Sequence, residues 1–181
     1  MTSPDHPSGT DRCFEALQKQ EEGYDYVVNI QGDEPFIKPE QIDQVTKLLD
    51  GETQIATLIK QIQDSKEIFN PNVVKVVLNN KSNALYFSRS PIPYGRNIPE
   101  SEWLSHQTYY KHIGMYAFRA DILKLLTALP VSSLEKSESL EQLRWLENGY
   151  HIKVGETNFE TIGIDTPEDL TRAIEHLKSS S

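Results

Sequence analysis

The stretch that most constrains the fold is residues 26–35, which read YVVNIQGDEP. Its first half is rich in β-branched and aromatic residues, and its second half is turn-forming and acidic. This pattern predicts a buried strand that ends in an acidic loop. In an open α/β sheet, ligands bind outside the carboxyl ends of the strands, so Asp33 is well placed for a metal or a polar substrate. The alternative is a plain Gly-Asp surface turn.

The composition is typical of one soluble globular domain covering residues 1–181, with 37% hydrophobic and 25% charged residues. No apolar run approaches the length of a membrane span, and the first residues lack the core of a signal peptide, so we expect a cytoplasmic protein. The formal net charge of -9 repels a nucleic-acid backbone. Cys13 is the only cysteine, which rules out an internal disulfide and a thiolate metal cluster.

Hydrophobic periodicity predicts an α/β order along the chain. A long loop is expected from about residue 90 to 105, and loops of this length in a compact domain are often lids or binding loops. One apolar face, formed by Leu140, Leu143 and Leu146, predicts a single helix over residues 137–149. The strands are expected at residues 26–30, 54–62, 73–78, 84–89, 109–118 and 152–154, and the other helices at residues 8–22, 39–50 and 120–129. A further strand is expected from residue 161, followed by a turn and a closing helix to about residue 178; most of this stretch lies outside the residues that the structure describes.

Asp165 is the second informative carboxylate. The helix expected after it already has a cap in Thr166 and a first residue in Pro167, so Asp165 has no capping role. Asp33 is similar, because the next helix begins only near Pro39. Two such aspartates at one edge of a sheet are suited to Mg²⁺, which takes one or two carboxylates together with phosphate oxygens and water. The alternative is a pair of solvated acids at strand ends.

Seven segments follow one another in a characteristic order. They are SGTDR at residues 8–12, NIQGDEP at 29–35, FNPNVVKVV at 69–77, ALYFSR at 84–89, HIGMY at 112–116, LEQLR at 140–144 and GIDTPEDL at 163–170. Together they resemble the 3-deoxy-manno-octulosonate cytidylyltransferases, the CMP-Kdo synthetases of lipopolysaccharide synthesis. The resemblance implies a Rossmann-like nucleotidyltransferase fold, a three-layer α/β sandwich with a mixed sheet. It also implies an enzyme that joins CTP to 3-deoxy-manno-octulosonate (Kdo) with Mg²⁺, giving CMP-Kdo and pyrophosphate.

The same resemblance implies roles for individual residues. Asp33 and Asp165 match the metal ligands of the family and are the predicted catalytic pair. Ser8 and Arg12 match part of the cytidine side. The sugar-acid pocket is implied at Gln31, Arg89, His112, Tyr116, Glu141 and Gln142.

These residue types suit the implied chemistry. The anomeric hydroxyl of the sugar attacks the α-phosphorus of CTP while pyrophosphate leaves, so catalysis depends mostly on positioning and charge stabilisation. Arg89 and His112 are suited to hold the sugar carboxylate or hydroxyls. Taken without the resemblance, Arg89 is more simply a surface ion-pair partner and His112 a satisfied histidine on a strand. No side chain is assigned as a general base.

One departure from the family pattern is large. The family begins with a strand and a phosphate-binding loop of the form A-R-x-x-S-x-R-x-P-x-K, and the first residues here resemble family sequence from inside the domain. We therefore expect an N-terminally truncated chain with little or no turnover by itself. The family also implies a homodimer. The alternatives are another sugar-acid nucleotidyltransferase, a metal-dependent glycosyltransferase, although Glu34 and Pro35 replace its D-x-D pattern, and a non-catalytic interaction domain.

Overall fold

The computed structural model describes residues 1–32, 35–159, 170–171 and 173–175. Within these ranges, helices and strands alternate through most of the chain. The helices are α1 (Gly9–Gln18), α2 (Pro39–Thr46), α3 (Ser65–Phe69), α4 (Trp103–His106), α5 (Ala120–Thr127), α6 (Ser133–Glu138) and α7 (Gln142–Glu147). The strands are β1 (Tyr26–Ile30), β2 (Ile55–Gln61), β3 (Lys75–Leu78), β4 (Ala84–Ser88), β5 (Tyr110–Arg119) and β6 (Ile152–Glu156).

The ten-residue strand β5 organises the sheet. The strand order is β4-β3-β5-β2-β6, and β1 also pairs with β5. The β2–β6 pair is parallel and the other pairs are antiparallel, so the sheet is mixed, as expected. These six strands lie at the positions that the sequence predicts, within a few residues at each end.

Strands β1 and β3 share one side of β5. β1 pairs with the second half of β5, from Ile30 opposite Met115 to Tyr26 opposite Arg119. β3 pairs with its first two residues, Tyr110 and Lys111. The two partners run in the same direction, so the end of β1 points toward the start of β3, next to residues 112–114 of β5. The loop that carries Gln31 therefore leaves the sheet beside its central strand.

Helices cover both faces of the sheet. On one face, apolar side chains of α1, α5 and α7 pack on strand residues such as Phe87, Tyr116 and Phe118. On the other face, Val45 and Ile42 of α2 pack on β2 and β5. Burial of these apolar faces is the main source of stability for such a layered fold. No helix among the described residues is long and apolar enough to cross a bilayer.

The prediction of one helix over residues 137–149 is wrong. Helix α6 ends at Glu138, and Ser139 adopts a left-handed backbone conformation with φ of 52°. A new helix, α7, begins at Gln142. The leucines of residues 140–146 keep helical spacing in the sequence, but Leu140 lies in the turn before α7 and not in a helix. The break places Glu141 at a turn between two helices, and Gln142 is buried.

The long loop after β4 has a small core of its own. Trp103 is buried, stacks on Tyr109 with ring centroids 5.9 Å apart, and donates from Nε1 to the carbonyl of Ile98 at 3.1 Å. A Cβ atom on Gly95 would lie 2.5 Å from Trp103 Nε1, so only glycine fits there. The segment is thus ordered by aromatic packing, and residues 100–106 form short helical turns that the sequence reading missed.

Candidate active site

The start of helix α1 meets the turn before helix α7. Ser8 caps α1, since its Oγ accepts from the backbone N–H of Asp11 at 3.2 Å. Two residues later, the hydroxyl of Thr10 donates to Glu141 Oε2 at 2.9 Å. Ser8 and Glu141, predicted on the cytidine side and the sugar side respectively, therefore lie in one region. Both also line a cleft of about 620 Å³ between α1 and the α6–α7 turn.

Tyr116, on strand β5, lies close to Glu141. Its side chain is buried, and its hydroxyl has no hydrogen-bond partner within the described part of the chain. The ring packs edge-on against Trp145, with centroids 5.1 Å apart. Burial, with a further contribution from the Glu141 carboxylate, raises the pKa of Tyr116 well above its usual value. The phenol therefore stays neutral and can donate one hydrogen bond to a ligand.

His112 stands beside Tyr116, with ring centroids 5.0 Å apart. Its Nε2 lies 2.9 Å from Thr57 Oγ1, and that hydroxyl donates its hydrogen to the Met115 carbonyl at 2.7 Å. Because the hydroxyl proton is already committed, Nε2 must be the protonated nitrogen, which leaves Nδ1 as an acceptor. Burial lowers the pKa of His112 to about 3. The imidazole is therefore neutral near pH 7 and suits a sugar hydroxyl better than a carboxylate.

Arg89 connects strand β4 to the α6–α7 turn. Its guanidinium donates to three backbone carbonyls, those of Glu138 (2.8 Å), Pro71 (3.0 Å) and Ser139 (3.4 Å). The Glu138 carboxylate in turn accepts from the backbone N–H of Arg89 and from the Ser88 hydroxyl. This network fixes the turn that leads to Glu141. Among the described residues, this network uses three of the five guanidinium N–H groups, so two can serve a ligand.

The remaining predicted site residues occupy different positions. Gln31 is exposed just after β1, and Gln142 is buried at the start of α7. Arg12 points away from Glu141, because its guanidinium donates to the Ser3 carbonyl and the Thr2 hydroxyl. Asp33 and Asp165 lie outside the described residues. Within those residues, no group of three or more histidine, cysteine, aspartate or glutamate side chains is arranged to hold a metal ion.

Sequence reasoning missed three residues that support this site. Thr10 contacts Glu141, Thr57 orients His112, and the ammonium of Lys75 donates to the carbonyls of Asn70, Val73 and Arg89. Lys75 had a visible signal, because it is the one charged residue in the apolar run at residues 73–78. Thr10 and Thr57 had no such signal, since threonine is common in helices and strands.

Comparison with known proteins identifies the family of this chain. The cytidylyltransferase family matches residues 1–159. A 3-deoxy-manno-octulosonate cytidylyltransferase from Parabacteroides distasonis is 61% identical over 98% of this chain and 72% of its own length. Another from Bacteroides thetaiotaomicron is 60% identical over 100% of this chain and 74% of its own length.

A solved structure gives the same result for the fold. It is that of a CMP:2-keto-3-deoxy-manno-octonic acid synthetase complexed with CTP, with a TM-score of 0.88, 41% identity, and coverage of 100% of this chain and 72% of the other. The fold is thus that of an α/β nucleotidyltransferase, as predicted. Within that class, the chain belongs to the family of 3-deoxy-manno-octulosonate cytidylyltransferases, which confirms the resemblance seen in the sequence.

Proposed function

We propose that this protein transfers CMP from CTP to Kdo, giving CMP-Kdo and pyrophosphate for lipopolysaccharide synthesis. Family membership over nearly the whole chain supports the reaction. The observation that carries the proposal is the position of Glu141, whose carboxylate is bound by Thr10 of α1 and lies near Tyr116 of β5. A carboxylate that lines a cleft, with a buried phenol near it, suits a polyhydroxylated sugar acid.

Four polar side chains bind different groups of the sugar. The neutral His112 offers an acceptor at Nδ1, Tyr116 offers a donor, and Glu141 offers carboxylate oxygens, so all three suit hydroxyl groups. Arg89 retains two N–H donors for the sugar carboxylate. Fixed polar groups of this kind orient the anomeric hydroxyl toward the α-phosphorus, and such positioning supplies much of the rate enhancement in phosphoryl-type transfers.

We assign Mg²⁺ to Asp33 and Asp165. Their carboxylates are the hard oxygen ligands that this cation prefers. In the sequence, Asp33 follows strand β1 by three residues, and β1 itself ends next to Met115 of β5. When bound, Mg²⁺ supplies positive charge against the phosphate oxygens and lowers the pKa of the attacking hydroxyl. Gln31 precedes this acidic loop and lies on the side of the sugar. Ser8, which caps α1, belongs to the cytidine side, as does Arg12.

Two further proposals follow from the family. We infer a homodimer. We also infer a cytoplasmic location, where CTP is available. Gel filtration with light scattering measures the first, and cell fractionation measures the second.

The reaction is tested by substrate exchange. At high protein concentration with Mg²⁺, CTP and Kdo, we expect mass spectrometry to detect CMP-Kdo. Replacing Kdo with sialic acid, or CTP with UTP, should remove the product. Preferential use of sialic acid would instead identify another sugar-acid nucleotidyltransferase. No product, together with no calorimetric binding of CTP or Kdo, would favour a non-catalytic interaction domain.

Tyr116→Phe should separate function from stability. A buried hydroxyl without a partner costs about 1 kcal/mol or more, so its removal should leave the free energy of unfolding unchanged or slightly higher. Binding of Kdo should weaken about tenfold, because a donor to the sugar is lost. Urea unfolding and isothermal titration calorimetry measure the two effects.

Tyr109→Phe is the matched control for this change. Tyr109 is also a buried tyrosine of the same region of the chain, but its hydroxyl donates to the Pro93 carbonyl at 2.8 Å. Its removal should lower the free energy of unfolding by about 1 kcal/mol and leave Kdo binding unchanged. If Tyr116→Phe behaves like Tyr109→Phe in both measurements, the Tyr116 hydroxyl has a structural role instead.

A further inference from the structure

Thr10 is a buried polar residue that the proposed reaction does not yet use. It is the second residue of α1 and is only 3% exposed. Its hydroxyl donates to Glu141 Oε2 at 2.9 Å, across 131 positions of sequence. A threonine at this place in a helix has no capping duty, because Ser8 already caps α1. The hydroxyl is therefore directed at a carboxylate instead of at its own helix.

The surroundings of Glu141 make this contact important. Burial raises the pKa of the Glu141 carboxyl, whereas the hydrogen bond from Thr10 and the nearby Ser8 hydroxyl, which itself donates to Asp11 at 2.6 Å, act in the opposite direction. Arg144, on α7 itself, also favours the carboxylate, but its guanidinium is already held by Glu135 in two bonds of 2.6 Å. The other titratable groups that face Glu141 are Asp11 and Cys13 on α1 and Tyr116 on β5.

None of these other groups can replace Thr10 as a hydrogen-bond donor to the Glu141 carboxylate. Asp11 is a like charge that opposes ionisation of Glu141. Cys13 and Tyr116 have raised pKa values and remain neutral. Among the contacts that favour the ionised carboxylate, the hydrogen bond from Thr10 is the strongest one. It also fixes which way the carboxylate faces, because a hydroxyl bond at 2.9 Å is directional.

We propose that Thr10 is a positioning residue that holds the Glu141 carboxylate between helix α1 and Tyr116, and so joins the nucleotide side of the site to the sugar-acid pocket. The part of this inference that concerns Kdo rests on the proposed function. Thr10 itself contacts no reacting atom. It acts through Glu141, by orienting the carboxylate and by keeping it ionised.

The test compares Thr10→Val, which loses the hydroxyl at nearly constant volume, with Thr10→Ser, which keeps it. Unfolding by urea is measured from pH 4 to pH 9. Because the folded-state pKa of Glu141 is raised, its ionisation weakens the fold as pH rises from the unfolded-state value to the folded-state value. Thr10→Val raises the folded-state pKa further. The stability gap between Thr10→Val and wild type should therefore widen with rising pH and then level off.

Three controls make this readout specific. Thr10→Ser should follow the wild-type profile. In a Glu141→Gln background, Thr10→Val should have an effect that does not vary with pH, because the titrating carboxyl is gone. Thr46→Val, on α2, removes a hydroxyl that bonds only to the Asp43 carbonyl of its own helix and should give no pH-dependent gap. A gap that does not depend on pH in the Thr10→Val protein would overturn the inference.

Calorimetry with Kdo at pH 8 is the second measurement. Thr10→Val should weaken binding about tenfold, Thr10→Ser should restore it, and Thr10→Val should add nothing in the Glu141→Gln background. A pH-dependent gap with unchanged Kdo binding would refute the role in the sugar pocket. If the gap appears and the wild type also fails to bind Kdo, the contact between Thr10 and Glu141 stands and the proposed function fails.

Discussion

Replacing Lys75 with methionine should lower the free energy of unfolding by about 3 kcal/mol, because three buried hydrogen bonds from a charged donor to carbonyl groups are lost. Lys75 is completely buried. Its ammonium donates to the carbonyls of Asn70 (2.8 Å), Val73 (2.6 Å) and Arg89 (2.6 Å). An ammonium has three N–H donors, so each one is used. Methionine fills a similar volume but offers none of them.

The Lys75 contacts also support the candidate site. They tie the loop before β3 to Arg89, whose guanidinium donates to the Pro71 carbonyl in that loop and to the turn that carries Glu141. Loss of the ammonium should therefore loosen Arg89 as well as destabilise the fold. We expect Lys75→Met to weaken Kdo binding, measured by calorimetry under conditions where the variant is fully folded.

The pH dependence of stability provides an independent check on Lys75. Burial, aided by the nearby Arg89 charge, lowers the pKa of Lys75 to about 8 in the folded state. The unfolded chain keeps this proton up to about pH 10.4. Between these values the unfolded state binds more protons, so the free energy of unfolding contains a component that rises with pH. Lys75→Met should lack that component.

Lys153→Met is the matched control. Lys153 is also a strand lysine, but it is only partly buried and its ammonium donates to one carbonyl, that of Lys81. Its replacement should cost less than about 1 kcal/mol. An equally small cost for Lys75→Met would mean that water satisfies the three carbonyls and that the buried ammonium is dispensable.

Alanine substitutions of Asp33 and Asp165 should have the second large effect, on metal binding. Each should weaken Mg²⁺ affinity in the presence of CTP by at least about tenfold, since Mg²⁺ sites depend on one or two carboxylates. If both aspartates hold one ion, the double variant should lose little more than either single one. Isothermal titration with Mg²⁺ measures all three proteins.

The control for the metal prediction is Asp43→Ala, which removes an exposed carboxylate from α2 and should leave Mg²⁺ affinity unchanged. Unchanged affinity in both Asp33→Ala and Asp165→Ala would refute the shared metal site. The two aspartates would then be solvated acids at the ends of strands. That outcome would favour the interaction domain over the enzyme if substrate exchange also gave no product.

The sequence predicts strands more reliably than it predicts the supports of the site. β1 was located because a β-branched run is followed directly by turn residues, which are local signals. The sequence does not predict the break at Ser139, because Leu140, which lies in the turn, keeps helical spacing with Leu143 and Leu146 of α7. The sequence predicts that Lys75 lies in the sheet interior, but it does not predict the hydrogen-bond acceptors of the ammonium, which are the carbonyl groups of residues 70, 73 and 89. Tertiary contacts of this kind leave no periodic trace.

In the candidate site too, the sequence predicts some features and not others. The family motifs selected Ser8, Glu141, Tyr116 and His112, and the structure brings these residues close to one another. The hydrogen bond from Thr10 to Glu141 joins residues that are 131 positions apart in the sequence, so no local pattern predicts it. The neutral state of His112 also follows only from its buried position and its bond to Thr57.

The pairing of β1 with β5 has a consequence for how the protein forms. The two strands are roughly ninety residues apart in sequence, and contacts of such separation slow folding because a long loop must close first. During synthesis, β1 leaves the ribosome well before its partner exists. Its backbone N–H and C=O groups therefore stay without their β5 partners until that strand emerges, and an unpaired strand edge of this kind can pair with other chains.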